Sequence, residues 1–157
     1  MNSSEGQNIH NLAKRLWPIN RSLTGKGLRQ TLDILKELIP SLQIFNVRSG
    51  TKVFDWTVPK EWSCAVAYII GPDGNRLCDF EENNLHLVGY SIPVNKTISL
   101  NDLQEHLYSI PDQPTAIPYV TSYYKERWGF CIAHGERLKL EEGHYRVVIE
   151  SRLFDGV

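Results

Sequence analysis

The segment Ile117–Cys131, Ile-Pro-Tyr-Val-Thr-Ser-Tyr-Tyr-Lys-Glu-Arg-Trp-Gly-Phe-Cys, concentrates aromatic side chains around a short charged sequence, Lys125–Arg127. Its rings are those of Tyr119, Tyr123, Tyr124, Trp128 and Phe130. Each large ring buries about 150–250 Å², and a buried polar tip needs a hydrogen-bond partner. Such a density indicates either a corner of the hydrophobic core, which the general burial of aromatic side chains favours, or the wall of a pocket.

The composition predicts a folded protein and excludes several classes of function. The 157 residues suffice for one domain or for a piece of a larger one. A hydrophobic fraction of 41% and a net charge of −1 argue against a disordered chain and against a nucleic-acid-binding protein. The chain has neither an apolar run of bilayer length nor a secretory signal at its start. We therefore expect a cytoplasmic protein that binds neither nucleic acid nor membrane.

The first part of the chain predicts two amphipathic helices and a β-hairpin. Apolar residues recur every three or four positions over residues 4–17 and 27–39, and a proline follows each of these segments. The period then changes to two over Leu42–Val47, and a second apolar segment, Val53–Val58, follows a break. This pattern predicts that the two segments pair as a hairpin.

The rest of the chain predicts further strands and one more helix, which Ser99 caps. The predicted strands are Cys64–Ile70, Arg76–Phe80, Leu85–Tyr90, Trp128–Ala133 and Tyr145–Glu150. Helices followed by strands, a helix and more strands indicate the α+β class.

The residue types that usually carry catalysis are scattered. None of the five histidines has the spacing of a metal site, and no Gly-x-Ser-x-Gly sequence is present. His86 lies in a predicted strand, where a histidine with a structural hydrogen bond is the leading interpretation, and the other four are expected on solvated surfaces. The three cysteines form no Cys-x-x-Cys pair, so we expect free thiols. These residues predict no catalytic group.

Five segments together resemble one family. They are Leu16–Gly25, Val58–Trp62, Asp79–Phe80 with Asn83–His86, Tyr90–Val94, and Ile117–Tyr124 with Trp128–Cys131. Their order and spacing are similar to those of bacterial proteins with an aminopeptidase-like domain, which are often named for an association with polysaccharide biosynthesis. In that family the fold is like that of zinc aminopeptidases, an α/β domain with a mostly parallel sheet, and it carries a small inserted α+β domain.

The resemblance implies a domain organisation and a function. Residues 1–58 would begin the aminopeptidase-like domain, residues 59–134 would form the inserted domain of unknown function, and residues 135–157 would return to the first domain. The family's metal ligands begin at a Cys-His-Pro segment further along. Zinc is therefore implied for the full-length protein, a metallohydrolase acting on peptide or amide bonds, and no metal for this N-terminal fragment. The remainder of the domain is the implied partner.

An alternative function is a non-catalytic binding module whose aromatic cleft stacks on a sugar or a peptide. The candidate binding residues are Asn84, His86, Tyr123, Tyr124 and Trp128, and we predict that they lie together near one cleft. A peptide-like or glycan-linked small molecule is the expected ligand. A third hypothesis is a scaffold that self-associates as a homo-oligomer.

Overall fold

The chain forms two compact units in a computed structural model that describes residues 3–122 and 125–157. The first unit contains the residues up to Glu61 together with Asp155–Val157, and the second is Trp62–Phe154. The first unit holds two helices and a short hairpin, and the second holds a four-stranded sheet with short helices. This mixture of helix and strand confirms the predicted α+β class.

The two helices of the first unit begin and end within a residue or two of the predicted bounds. They are α1, Ser3–Leu16, and α2, Lys26–Leu38. Arg15 of α1 makes a two-pronged ion pair with Glu37 of α2, with N–O distances of 2.7 and 3.0 Å. In the first turn of α2 the helix passes so close to the preceding loop that a Cβ on Gly27 would lie 1.8 Å from the carbonyl oxygen of Asn20. Only glycine fits at this position.

The hairpin of the first unit differs from the predicted one. Strands β1, Lys52–Val53, and β2, Trp56–Thr57, are antiparallel, so the segment Val53–Val58 folds back on itself. Phe54 forms the turn with a φ of 53° and is fully exposed. Leu42–Val47 belongs to no helix or ladder in the described residues, so its predicted pairing with Val53–Val58 is wrong. Alternation predicts an extended chain, but it does not identify the neighbour.

A buried carboxylate connects α2 with both ends of the first unit's chain. Glu61 is 1% exposed, and Arg29 donates to its two carboxylate oxygens at 2.6 and 2.9 Å. Arg29 also donates to the carbonyl of Val157 at 3.0 Å. These hydrogen bonds from Arg29 lower the pKa of Glu61, and the backbone N–H of Val157 adds to the effect. The carboxylate therefore stays ionised although it is removed from water.

The second unit is built on a four-stranded sheet. Its strands are β3, Glu61–Ile70; β4, Arg76–Leu77; β5, Val94–Ser99; and β8, His144–Phe154. They lie in the order β4-β3-β8-β5, and β5 and β8 are antiparallel over six residue pairs, from Val94 opposite Ile149 to Ser99 opposite His144. A separate parallel pair is formed by β6, Leu107–Tyr108, and β7, Phe130–Cys131. The helices are α3, Leu100–Gln104, and α4, His134–Arg137.

Two of the predicted strands contribute buried residues to the core of the second unit. Tyr145, Val147 and Ile149 of β8 are buried with the rings of Trp62 and Phe130. The predicted strands at Cys64–Ile70 and Tyr145–Glu150 are confirmed and are longer than expected. Cys64–Ile70 is a continuous apolar run, and in β8 the apolar residues Tyr145, Val147 and Ile149 recur at every second position, as expected for strands with a covered face.

Other strand predictions were too long or wrong. The strands at Arg76–Phe80 and Trp128–Ala133 shorten to β4 and β7. Leu85–Tyr90 is not a strand, because a 3₁₀ turn occupies Asn84–His86 and only isolated bridges follow. The polar strand β5 was missed. The side-chain oxygen of Asn83 accepts from the amide of Leu85, which favours the turn over a strand.

The predicted cap of α3 is confirmed. The Ser99 hydroxyl accepts from the amide of Asp102 at 3.2 Å and donates to the Asp102 carboxylate at 2.7 Å. Leu100 and Leu103 are buried on the inner face of α3.

The domain bounds implied by the resemblance, 1–58, 59–134 and 135–157, stay a prediction about the organisation of the whole protein. The compact units of this chain divide after Glu61 and after Phe154.

Within the described residues, none of the helices is long and apolar enough to cross a bilayer.

Replacing Arg29 with alanine should lower the free energy of unfolding by about 1–3 kcal/mol at neutral pH, because a buried carboxylate loses its donors. Because Glu61 has a lowered pKa when folded, its stabilisation is present above its unfolded pKa of about 4.3 and is lost as the pH falls through the folded value. The difference between the two proteins should shrink at acid pH in urea titrations. Arg15→Ala, which removes an exposed pair, is the control and should change little. An equal loss in both variants would contradict this role for Glu61.

Candidate functional site

The turn that carries Asn84 and His86 lies beside β7. Leu87 bridges Phe130, and Gly89 bridges Thr121, so the aromatic segment contacts Leu87–Gly89 at two points. A Cβ on Gly129 would lie 2.7 Å from the Tyr108 ring and 2.8 Å from the carbonyl oxygen of His106. The glycine therefore allows this segment to approach the start of the parallel pair closely.

His86 has a structural hydrogen bond. Its Nδ1 lies 2.8 Å from the carbonyl oxygen of Cys131. A carbonyl only accepts, so Nδ1 carries a proton and donates it to this oxygen. The side chain is half-buried. This hydrogen bond gives a half-buried polar ring a partner. It confirms the interpretation of His86 as a histidine with a structural hydrogen bond.

Trp128 is 6% exposed, and its ring stacks on that of His106 with centroids 3.5 Å apart and planes 19° apart. His106 Nδ1 also donates to the carbonyl of Trp128 at 3.2 Å. The ammonium of Lys96 lies 4.9 Å from the Trp128 ring centroid, within the range of a cation–π contact. A ligand that stacked on the same face as His106 would have to displace that ring.

The structure therefore gives the predicted binding residues separate partners. His86 bonds to Cys131, whereas Trp128 contacts His106 and Lys96. The bridge between Leu87 and Phe130 keeps their backbone segments adjacent. Tyr123 and Tyr124 lie outside the described residues. A single cleft that includes Asn84, His86 and these rings stays a prediction.

The sequence missed His106 as a partner of the aromatic segment. The expectation that His106 and His134 lie on solvated surfaces was wrong, because both are half-buried and hydrogen-bonded. Helix α3 ends at Gln104, so His106 lies beyond the helix. The ending of α3 turns the chain so that His106 reaches the Trp128 ring.

Arg127 makes hydrogen bonds that hold the aromatic segment, Ile117–Cys131, in place. Its Nη2 donates to the carbonyl of Thr121 at 3.0 Å, and its Nη1 donates to the Tyr108 hydroxyl at 3.3 Å. The guanidinium lies 5.4 Å from the Tyr108 ring centroid. Its buried Nε has no hydrogen-bond partner among the residues that the structure describes. Arg127 thus holds the two ends of the segment that contains Tyr123 and Tyr124.

A second polar cluster surrounds Arg137 on α4. Its guanidinium donates to the side chain and carbonyl of Gln104, to the carbonyl of Leu107 and to the Ser109 hydroxyl, at 2.7–3.2 Å. Ser109 Oγ also lies 2.9 Å from Nδ1 of His134. The contacts tie α4 to the ends of α3 and β6. Because the guanidinium also bonds to Ser109, the Ser109–His134 pair is part of this structural network.

The described residues do not bring together the side chains that a zinc ion needs as ligands. Over residues 3–122 and 125–157, no group of three or more His, Cys, Asp or Glu side chains is placed to hold a metal ion. The half-buried histidines bond to Cys131, Trp128 and Ser109 instead. The described residues therefore do not fit a zinc centre.

The cysteines are free and poorly suited to nucleophilic chemistry. Burial raises the pKa of Cys64 to about 11 and the pKa values of Cys78 and Cys131 to about 12. The thiolate is the reactive form, so these thiols are almost wholly unreactive at neutral pH. The prediction of free thiols is confirmed.

Residues 61–152 match the protein family described as "Domain of unknown function (DUF2172)". This match covers more than half of the sequence. The chain belongs to this family. It is also 52% identical over 156 residues to the Clostridium acetobutylicum "Putative polysaccharide biosynthesis protein with aminopeptidase-like domain", covering 99% of this chain and 36% of the relative. The resemblance found in the sequence is thereby confirmed.

A solved structure extends the similarity to three dimensions. The chain is similar to the crystal structure of a "putative peptidase" from Clostridium acetobutylicum, with a TM-score of 0.92 and 51% identity. The match covers 98% of this chain and 36% of that chain. The chain therefore spans about a third of the length of the relatives it matches.

Replacing Trp128 with alanine should lower the free energy of unfolding by about 3–5 kcal/mol, because the change leaves a cavity beside His106. Trp17, which is 54% exposed, supplies the matched control, and Trp17→Ala should cost clearly less. Urea unfolding followed by circular dichroism measures both. A Trp128→Ala protein as stable as the parent would contradict the packing role of this ring.

The raised thiol pKa values predict slow modification of the folded protein. At pH 8 an aromatic disulfide reagent should react at least about tenfold more slowly with the folded chain than with the chain in denaturant. The release of coloured thiolate measures this rate. Fast reaction of all three thiols in the folded chain would contradict the burial that raises their pKa values.

Proposed function

We propose that this chain is the N-terminal part of an aminopeptidase-like zinc metallohydrolase that acts on peptide or amide bonds. In this proposal the chain supplies structure and contact surfaces, and the remainder of the protein supplies the metal ligands. The observation that carries it is the similarity, at 51% identity and a TM-score of 0.92, to a protein described as a "putative peptidase". At that level of identity two chains share their fold in detail, and this chain spans 36% of the other.

The proposed substrate class is supported by the two parts of the relative's name. That protein is described by an aminopeptidase-like domain and by polysaccharide biosynthesis. A peptide-like or glycan-linked amide is compatible with both. Three free cysteines support the cytoplasmic location expected from the sequence, because thiols are kept reduced in that compartment.

A non-catalytic binding module is the second candidate, and one observation favours it. Tyr119 opens the aromatic segment and is 73% exposed, so its ring offers a face on which a sugar or peptide can stack. Arg127 fixes the backbone of the same segment through Thr121. In this alternative Tyr119 joins the candidate residues Asn84, His86, Tyr123, Tyr124 and Trp128. The ligand would be bound without being cleaved.

The proposed function is tested by comparing two proteins, the 157-residue chain and the same chain joined to the remainder of the Clostridium acetobutylicum relative. The longer protein should bind about one equivalent of zinc or more and hydrolyse aminoacyl amides, and a chelator should abolish the hydrolysis. The 157-residue chain should do neither. Metal content is measured by atomic emission, and turnover by release of the amine.

Two outcomes would contradict the proposal. Tight stoichiometric zinc with chelator-sensitive hydrolysis in the 157-residue chain would place the site within it. A longer protein that binds a peptide or an oligosaccharide but cleaves no amide would favour the binding module. Tyr119→Ala should then weaken the binding without changing the fold.

A further inference from the structure

The guanidinium of Arg127 carries a charge that the surrounding protein does not neutralise. Among residues 3–122 and 125–157 it forms no ion pair with an Asp or Glu side chain. Arg15, Arg29 and Arg76, in contrast, each contact a carboxylate at 2.6–3.0 Å. Arg127 is also half-buried, and a cation that is partly removed from water favours a partner of opposite charge. The side chain is therefore suited to bind an anionic group.

Two of the five N–H groups of this guanidinium donate to acceptors within the described residues. One N–H of Nη2 donates to the carbonyl of Thr121, and one N–H of Nη1 donates to the Tyr108 hydroxyl. The buried Nε has no partner there. Arg137 is the other half-buried arginine, and its guanidinium makes four hydrogen bonds to neutral acceptors. Arg127 therefore keeps donors for a ligand, whereas the donors of Arg137 are used within the protein.

The Tyr108 hydroxyl adds a further donor beside the guanidinium. It accepts from Arg127 at 3.3 Å and makes no other hydrogen bond among the described residues, so its own hydrogen is available to a ligand. The Tyr108 ring packs against Gly129, and the Tyr108 carbonyl accepts from the amide of Ile132 at 3.0 Å. The carbonyl of Arg127 accepts from the amide of Ile92 at 3.1 Å. Both donors thus project from backbone that is already held in place, which lowers the entropic cost of binding.

We propose that Arg127 and Tyr108 form a binding site for a carboxylate. The carboxylate would accept hydrogen bonds from the unused N–H groups of Nη1 and Nη2 and from the Tyr108 hydroxyl. A planar carboxylate matches the planar guanidinium, and its single negative charge matches the single cation. The proposal concerns recognition by the second unit, and it does not require that the longer protein hydrolyses its ligand.

Two kinds of ligand can supply this carboxylate. One is a glycan that contains a uronic acid, and the other is a peptide with an acidic side chain. Both also fit the exposed ring of Tyr119, which lies two residues before Thr121 in the same segment and offers a face for stacking. The site recognises the group that the two ligands share, so the experiment uses one probe of each kind.

NMR of the arginine Nε–H groups in the 157-residue chain tests the site directly. Sodium glucuronate, or a capped peptide with one glutamate, should shift the Arg127 Nε–H signal in a saturable way. Glucose and the same peptide with glutamine, which are neutral, should not. A response to glucuronate alone assigns the site to an acidic glycan, and a response to the peptide alone assigns it to an acidic peptide. An Arg127 signal that neither probe shifts would overturn the proposal, and so would a response to inorganic phosphate alone.

Substitutions separate recognition by this site from general attraction to a cation. Arg127→Lys keeps the charge but removes the planar pair of donors, so it should weaken binding of the responding probe by at least about tenfold. Tyr108→Phe keeps the ring and removes the hydroxyl, so it should weaken binding by about threefold or more. Arg146→Lys is the matched control, since Arg146 is exposed on β8, and it should leave the affinity unchanged. Isothermal titration calorimetry measures each dissociation constant.

The remaining outcomes each give a decision. Equal affinity in the parent and Arg127→Lys proteins, or an equal loss in the Arg127→Lys and Arg146→Lys proteins, would overturn the proposal. If Arg127→Lys does not fold by circular dichroism, Tyr108→Phe decides, and an unchanged affinity in that variant would overturn it. Carboxylate binding in a longer protein that cleaves no amide would support this site and refute the proposed function. Amide hydrolysis without carboxylate binding would do the reverse.

Discussion

Ser91 connects four parts of the second unit through one hydroxyl and one carbonyl. Its hydroxyl donates to the carbonyl of Val88 at 2.6 Å and accepts from the amide of Gly129 at 3.3 Å. Its carbonyl accepts from the Trp62 indole at 3.0 Å and from the Ser151 hydroxyl at 2.6 Å. Ser91 is fully buried, so these bonds would be costly to lose. The sheet strands β3 and β8 and the aromatic segment are therefore held in one arrangement.

This arrangement determines what the aromatic segment can do. Trp128 lies next to Gly129, which Ser91 holds, and its ring stacks on His106. His86 is fixed by Cys131. The interpretation as a corner of the core is confirmed at Trp128 and Phe130, which are buried, whereas Tyr119 is exposed and the interpretation as a pocket wall stays a prediction. A ligand-binding role therefore depends on the exposed end of the segment more than on Trp128.

The sequence predicted the elements whose signal is local. Both N-terminal helices, the strands β3 and β8 and the Ser99 cap follow from periodicity and capping chemistry. The contacts between distant residues were not predictable. The partner of Leu42–Val47, the stack of His106 on Trp128 and the bonds of Arg127 depend on which segments the fold brings together. The alternation at Leu42–Val47 predicted an extended chain, and the segment belongs to no helix and no ladder among the residues that the structure describes.

The proposed function requires that the zinc of the longer protein be held by residues other than 3–122 and 125–157 of this chain. The most direct measurement is anomalous diffraction at the zinc edge from crystals of the longer protein grown with zinc. The account predicts a strong zinc peak coordinated by side chains from the remainder of the chain, with none of its ligands among residues 3–122 and 125–157. A fully occupied zinc bound by His86, His106 or His134 would contradict it, because these rings would have to leave the hydrogen bonds that hold them here.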